Sequence, residues 1–400
     1  MLRVVIVDMG SRMNRLGGQA RIASIFYREL KPFFSTYYIG YETEFLRKDV
    51  NTIMLPRGQL NTNIRKNRFS ENNMLRLGYN LTVVRHMLGI DKRMLLKRVE
   101  NIKPDVIIAN SIADMALLRY LRKHGIGFRS IYIDHGSLST SIDKYFSKEG
   151  VPLTIGSGLY AYSTRNAIKQ FLNFFDMNIA LNETQQKNML QFTKKVRYIS
   201  NGMDVTADWN EKVESRLRWG YGISRRNFIV MYMGRMFERQ KNISTLIKAF
   251  MKAKHKEMRL LLVGEGPSLA DYKELAKGDD RIIFAPPVND SLIGYMYNIA
   301  NLFVLPSNWE GFSLTMLEAA AHKLPIIISD NIRIKDFSNQ HKMVTFKTDN
   351  PVELYKKIES LYRSKMERSA AIKTSEYLVR TFSKERMLTN YVKLIIQVSS

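Results

Sequence analysis

The stretch LFVLPSNWEGFSLTMLEAAAHKLPIIISD, residues 302–330, reads as strand, loop, helix, strand. LFVLPS and PIIISD are short aliphatic runs punctuated by proline, the pattern of strands buried on both faces. Between them Ser313 can cap a helix that Leu314 begins, and Gly311 allows close backbone approach to a ligand. Two strands joined through a helix run parallel, so the stretch predicts a doubly wound α/β sheet. A tight loop feeding a helix also aims free N–H groups and the positive end of the helix at an anion, which suits a phosphate.

The same alternation extends in both directions. FIVMYMGR (228–235), RLLLVGEG (259–266) and RIIFAPPV (281–288) precede the quoted stretch as further strands. An earlier series runs through RVVIVDM (3–9), STYYIGY (35–41), DVIIANS (105–111), SIYIDH (130–135), NIALN (178–182) and VRYIS (196–200). A chain of 400 residues exceeds what one core usually serves, so two Rossmann-like α/β domains are expected, at 1–202 and 203–383. The polar segment SNGMDVTADWNEKVESRLRWGYGISRRN reads as the connection between them. SKERMLTNYVKLIIQV opens with a Ser cap and Glu385, which predicts a terminal helix over 384–400 packing back on the first domain.

Composition narrows the class. With 45% hydrophobic and 25% charged residues the chain is a folded protein rather than a disordered one. It contains no cysteine, which excludes disulfides, thiolate metal sites and cysteine nucleophiles and agrees with a reducing, cytoplasmic location. The apolar start is short and broken by Asp8, so neither a signal peptide nor a membrane span is expected. The net charge of +25 attracts polyanions, whether nucleic acid, anionic lipid or phosphorylated small molecules.

Four further features carry chemistry. In GRMFERQKN, Arg235 ends a strand and Lys241 precedes a helix, so both cations project from the carboxyl edge of the sheet, where a guanidinium beside an ammonium suits a diphosphate. In GSRMNRLGGQAR, Gly17 and Gly18 sit in the first domain's first βα turn. His135 closes SIYIDH at another carboxyl edge. Residues 57–98 hold ten Lys and Arg against Glu71 and Asp91, with Leu75, Leu77, Leu81, Val84, Met87, Leu88 and Met94 to Leu96 among them. Arg65, Lys66, Arg68, Arg76, Arg85, Lys92 and Arg93 could therefore dock on an anionic membrane surface while apolar neighbours enter it. Gly264-Glu265-Gly266-Pro267 reads as a strand-ending turn and Asn201-Gly202 as an ordinary one.

EGFSLTMLE resembles the Glu-x7-Glu signature of the retaining glycosyltransferase family 4, which has the two-domain GT-B fold. Glu310 and Glu318 fill the two positions, the AAA continuation follows, and the Arg235 and Lys241 pair matches the family's second mark. The resemblance runs from Gly17 to the terminal helix. It implies that the first domain binds the acceptor and the second the nucleotide-sugar donor, with a UDP-sugar expected. Arg235 and Lys241 would then bind the donor phosphates, Glu318 the ribose, and Glu310 with Gly311, Phe312, Ser313 and Leu314 the sugar and distal phosphate. Val288 belongs to the base-recognition strand, Gly17 and Gly18 face the donor, and His135 approaches the transferred sugar. Departure of the nucleoside diphosphate is the step to assist, and two fixed cations can replace a metal, so no cofactor is expected. No Asp-x-Asp pair of the other large glycosyltransferase fold is present.

The chain departs from the family pattern at Ala285-Pro286-Pro287-Val288, where a glycine usually precedes the valine, and at NIRIKDFSNQHK after IIISD. Two rivals from other classes remain. A catalytically silent GT-B partner subunit should lack Glu310, Arg235 or Lys241, and all three are present. A nucleic-acid-binding protein should show a reader motif among its basic residues, and none is recognisable, so no nucleic-acid partner is expected. The expected acceptor is a glycan, lipid-linked, in bacterial surface polysaccharide or glycolipid assembly at the inner face of the cell membrane.

Overall fold

A computed structural model describes residues 1–10, 18–43, 46, 48–55, 91–136, 138, 155–204, 210–332 and 342–400. The chain divides into two compact units, one of Met1–Ser200 with Met387–Ser400 and one of Asn201–Arg386.

The first unit is built on a sheet of seven strands: β1 (Arg3–Asp8), β2 (Ser35–Gly40), β3 (Thr52–Met54), β4 (Val106–Ala109), β5 (Arg129–Asp134), β6 (Met177–Ala180) and β7 (Val196–Tyr198). Their order is β3-β2-β1-β4-β5-β6-β7, and every pairing is parallel. The crossovers carry α1 (Gly18–Glu29), α2 (Lys92–Ile102), α3 (Asp114–Lys123), α4 (Ile155–Phe174) and α5 (Glu183–Leu190). All four residues of β4 are buried, as a central strand covered on both faces requires. Leu95 and Val99 of α2, Leu117 and Leu121 of α3, and Phe171 and Phe175 fill the core beside Val5, Val7 and Ile107.

The second unit repeats the plan. It begins with helix α6 (Glu211–Gly220) and a sheet of β8 (Phe228–Met233), β9 (Met258–Val263), β10 (Ile282–Ala285), β11 (Leu302–Leu305), β12 (Ile326–Ser329) and β13 (Val344–Phe346). The order is β10-β9-β8-β11-β12-β13, again parallel throughout. Between the strands lie α7 (Glu238–Lys241), α8 (Ile243–Phe250), α9 (Leu269–Leu275), α10 (Asp290–Asn298) and α11 (Leu314–Ala321); α12 (Pro351–Arg363), α13 (Lys365–Thr381) and α14 (Lys384–Ser399) follow. From Met387 onward α14 belongs to the first unit. There the Tyr391 ring packs on Phe26 of α1 with centroids 4.5 Å apart, and Gln397 accepts from Arg197 at 2.7 Å.

In both sheets the chain order reverses beside the first strand, between β1 and β4 and between β8 and β11. At such a switch point the two following loops leave in opposite directions and open a crevice at the carboxyl edge. The expected α/β architecture is therefore borne out. Three local readings differ. EKVESRLRWG, read as part of a polar connection, forms α6, capped by Asn210, whose side-chain Oδ1 accepts from the Lys212 and Val213 amides, and braced by the Arg218–Glu214 ion pair at 2.6 Å. The three-residue strands β3 and β13 were not expected. Gly202 is no ordinary turn, because a Cβ there would meet the Ser383 carbonyl, and the next amide, of Met203, bonds to Phe382 O at 3.3 Å. Among the described residues no helix is long and apolar enough to cross a membrane.

Candidate active site

The second unit's switch point brings together the loops after β8 and β11. After β8 the chain runs Gly234, Arg235, Met236, Phe237 into α7, whose last residue is Lys241. After β11 it runs through Ser307 and Glu310 to Ser313, the cap of α11. Lys241 Nζ lies 2.6 Å from Glu310 Oε1, with the two side chains 16% and 9% exposed. Ser307 Oγ donates to the same carboxylate oxygen at 2.7 Å. The loops are also tied through the Asn308 amide, which donates to Gln240 O at 2.8 Å. An ammonium has three N–H donors, so the contact to Glu310 leaves Lys241 able to turn others toward a phosphate.

Arg235 is exposed, and its guanidinium stands 5.4 Å from the centre of the Phe237 ring. The loop that carries it is held from below. Tyr232 donates its hydroxyl to Arg235 O at 3.0 Å, and the Met236 amide donates to Glu265 O at 2.7 Å. The turn at Gly264 to Pro267 thus does more than end β9. Gly264 has φ +138°, and a Cβ on it would run into the Gly234 carbonyl. Only glycine combines that backbone angle with that approach. The pairing of β8 with β9 brings these loops side by side, which spacing along the chain does not reveal.

Ser313 caps α11 as its sequence position predicts, its Oγ accepting from the Met316 amide at 3.2 Å. Among the described residues the amides of Leu314 and Thr315 have no backbone acceptor, the normal state of a helix's first turn. Gly311 is buried and Phe312 partly so; the Phe312 ring packs edge-on to Phe382 at 4.9 Å. Glu318, one turn into α11, is 3% exposed and receives the Tyr297 hydroxyl at 2.7 Å. Tyr297 itself is fully buried and stacks on His322 at 5.4 Å. The sequence does not mark this Tyr297–Glu318 contact, since a tyrosine at the end of α10 (Asp290–Asn298) carries no distinguishing neighbour. Val288 lies partly buried in the loop after β10.

The first unit shows a second polar cluster at its own switch point. Asp114, fully buried at the start of α3, accepts from the Met9 amide at 2.6 Å and the Ser111 amide at 2.6 Å. It thereby ties the loop after β1 to the loop after β4. Desolvation first, and then the nearby Asp8, holds its carboxyl well above the usual range. His135, after β5, faces Asn110 Oδ1 through Nε2 at 2.8 Å, and desolvation pushes its imidazole down to about 4. Gly18 is the first residue of α1, whereas Gly17 lies outside the described residues. So do Arg65, Lys66, Arg68, Arg76 and Arg85. Lys92 and Arg93 are exposed in the first turn of α2 and Met94 is 42% exposed. Leu95, read as a candidate membrane contact, is instead fully buried in the core, because it lies on the α2 face that covers the sheet.

With that geometry in place, residues 227–364, about a third of the chain, match the family model described as Glycosyl transferases group 1. The chain is 28% identical over 144 residues to an uncharacterized glycosyltransferase of Methanocaldococcus jannaschii, covering 34% of this chain and 36% of that protein. It is 24% identical over 334 residues, 80% of each chain, to N-acetyl-alpha-D-glucosaminyl L-malate synthase of Bacillus anthracis. To the alpha-monoglucosyldiacylglycerol synthase of Acholeplasma laidlawii it is 27% identical over 199 residues, 46% of this chain and 48% of that one.

Among solved structures, a sucrose-phosphate synthase from Thermosynechococcus elongatus superposes with a TM-score of 0.75 at 16% identity, covering 100% of this chain and 99% of the other. Anabaena HepE in complex with UDP-glucose gives 0.71 at 13% identity, covering 99% and 100%. The fold is GT-B, and the chain is similar to glycosyltransferases in sequence.

Proposed function

We propose that this chain is a retaining, metal-independent hexosyltransferase of family 4 that takes a UDP-sugar as donor. The observation that carries the reading is the Lys241–Glu310 pair at the second unit's switch point, with exposed Arg235 on the same edge and the capped start of α11 three residues beyond Glu310. This arrangement has two cations and a helix N-terminus for a diphosphate, and a carboxylate beside them for sugar hydroxyls. In the proposed reaction Arg235, Lys241 and the amides at Leu314 stabilise the charge that grows on the leaving diphosphate. Glu310 orients the sugar, Glu318 takes the ribose hydroxyls, Val288 borders the base, Gly17 and Gly18 approach the donor, and His135 approaches the transferred sugar.

The acceptor is proposed to be a lipid-linked glycan or glycolipid in bacterial surface assembly, reached by peripheral docking on anionic lipid at the cytoplasmic face. Support comes from the exposed Lys92 and Arg93, from the net charge of +25 and from a relative named for making a glucosylated diacylglycerol.

The test is a donor screen. UDP-, GDP- and ADP-sugars are each incubated with the protein, with and without a lipid-linked acceptor and with and without EDTA, and release of the nucleoside diphosphate is measured. UDP release that persists in EDTA is expected. No release from any donor would sink the transferase reading, and loss in EDTA restored by Mn²⁺ would sink metal independence. For docking, the Arg65, Lys66, Arg68 to Ala triple variant should sediment less with anionic vesicles than the wild type, and neither should sediment with neutral ones.

A further inference from the structure

Asn110 follows β4 and His135 follows β5, neighbouring strands of the first unit's sheet. Asn110 is fully buried. Its Nδ2 donates to the Gln19 backbone carbonyl at 2.9 Å, and its Oδ1 faces His135 Nε2 at 2.8 Å. A peptide carbonyl oxygen can only accept a hydrogen bond, so the Asn110 atom that meets Gln19 is the NH2 group. That contact orients the amide and leaves an oxygen toward the histidine. An amide oxygen has no proton to give, so His135 Nε2 carries one.

Two states of the ring satisfy this contact: the neutral Nε2–H tautomer and the doubly protonated imidazolium. Burial selects the neutral one, since desolvation pushes the imidazole down to about 4. Nδ1 then holds a lone pair, and it has no hydrogen-bond partner among the described residues. Beside the ring, Asp134 Oδ1 accepts from the Gly136 and Leu138 amides at 3.1 Å each. The ring is therefore held by a strand end, by the Asp134 contacts to the amides of Gly136 and Leu138, and by one oriented amide.

We infer that Asn110 is a positioning residue: it locks His135 in the Nε2–H tautomer so that Nδ1 accepts a hydrogen bond from a sugar hydroxyl of the substrate. This rests on the transferase reading, in which His135 approaches the transferred sugar. A neutral acceptor is what that place calls for. Positive charge develops on the sugar as the diphosphate leaves, and an imidazolium would oppose it, whereas a lone pair on a hydroxyl proton does not. Asn110 touches no substrate in this scheme; it acts through the histidine.

The experiment uses the full-length chain labelled with ¹⁵N-histidine. Two-bond ¹H–¹⁵N correlation spectra distinguish the tautomers, and His135→Gln identifies the His135 signals among the six histidines. At pH 7 the wild type is expected to show neutral Nε2–H at His135. Asn110→Ala should lose the tautomer preference, and Asn110→Asp should show an imidazolium with both nitrogens protonated.

In the donor-hydrolysis and transfer assays both variants should lose roughly tenfold to a hundredfold in kcat, with the donor KM within about twofold. An equal loss in hydrolysis and transfer assigns the hydroxyl to the donor sugar, and a loss confined to transfer assigns it to the acceptor. Nδ1–H or imidazolium in the wild type overturns the inference, as does an Asn110→Ala protein that keeps the tautomer or keeps kcat. If Asn110→Ala does not fold, the Asn110→Asp spectrum and kcat decide alone. A wild type without activity on any nucleotide sugar would remove the transferase reading, and the spectra would still report the tautomer.

Discussion

Lys241 Nζ and Glu310 Oε1 meet at 2.6 Å, joining the loop after β8 to the loop after β11 across the point where the sheet order reverses. Each partner is mostly buried, so removing one leaves the other charge poorly solvated. Lys241→Ala and Glu310→Ala should each cost about 2 kcal/mol of stability, with the double variant costing less than the two losses added. Urea unfolding of the three proteins checks this, and strict additivity would show that the contact carries no coupling.

Arg235 separates rate from stability. Its side chain is exposed, so Arg235→Ala should unfold within about 0.5 kcal/mol of the wild type. If Arg235 faces the leaving diphosphate as proposed, loss of its charge should lower kcat about 10²-fold, or about 3 kcal/mol of barrier. Lys241→Ala should lower both quantities. Near-normal transfer by both variants with the preferred donor would remove these residues from phosphate binding.

Gly264 bears on the same loop from its underside. Gly264→Ala places a methyl group against the Gly234 carbonyl at a backbone angle of φ +138°, and should cost about 3 kcal/mol. It should also weaken UDP binding, because Arg235 follows Gly234 directly. Gly220→Ala is the control, since nothing lies near its Cβ position; it ends α6 and should gain up to about 1 kcal/mol. Thermal unfolding with and without UDP reads both effects.

Tyr297→Phe removes one donor from the buried Glu318 carboxylate while leaving the ring to stack on His322. A loss of about 1–2 kcal/mol is expected. If Glu318 meets the ribose, the variant should also raise the donor KM, and binding of UDP measured beside UMP and deoxyUDP would place the loss on the ribose hydroxyls.

The pH dependence follows from His135. Its folded pKa is about 4, against about 6.5 in an unfolded chain. Between these values the unfolded chain holds a proton that the folded one does not, so stability falls as pH drops from about 6.5 to about 4 and is unaffected above that window. Asp114, whose pKa is raised, acts with the opposite sign, and comparison of the wild type with His135→Gln removes its contribution. From pH 7.5 to 4.5 the wild type should lose about 2 kcal/mol more than His135→Gln. Equal losses would mean that the ring takes up its proton in the folded state.

Strands of four to six residues with continuous aliphatic runs, such as VIIA and IIIS, were legible because burial on both faces leaves little else for such a run to do. TIM at 52–54 and VTF at 344–346 were not, since three residues give no period to read. In α6 the charged residues of EKVESRLRWG masked a helix that Asn210 caps and a buried ion pair secures. Within the site, Arg235, Lys241 and Glu310 stood out because each lies between a strand and the longer helix that follows it, α8 or α11. Tyr297 and Gly264 act through neighbours that only the strand order brings near, so no local pattern marks them. Leu95 shows the converse: an apolar residue among cations faced the core, and the sequence did not say which side of α2 the sheet would take.

The return of the last helix to the first unit sets the order in which the nascent chain can finish folding. Tyr391, which packs on Phe26 of the first unit, is made only after the whole second unit, which ends at Arg386. The second unit can close as soon as its residues have emerged, while the older unit waits with the Phe26 face of α1 uncovered. A stop before Tyr391 would therefore leave the second unit whole and harm the first, the half of the pair that is synthesised earlier.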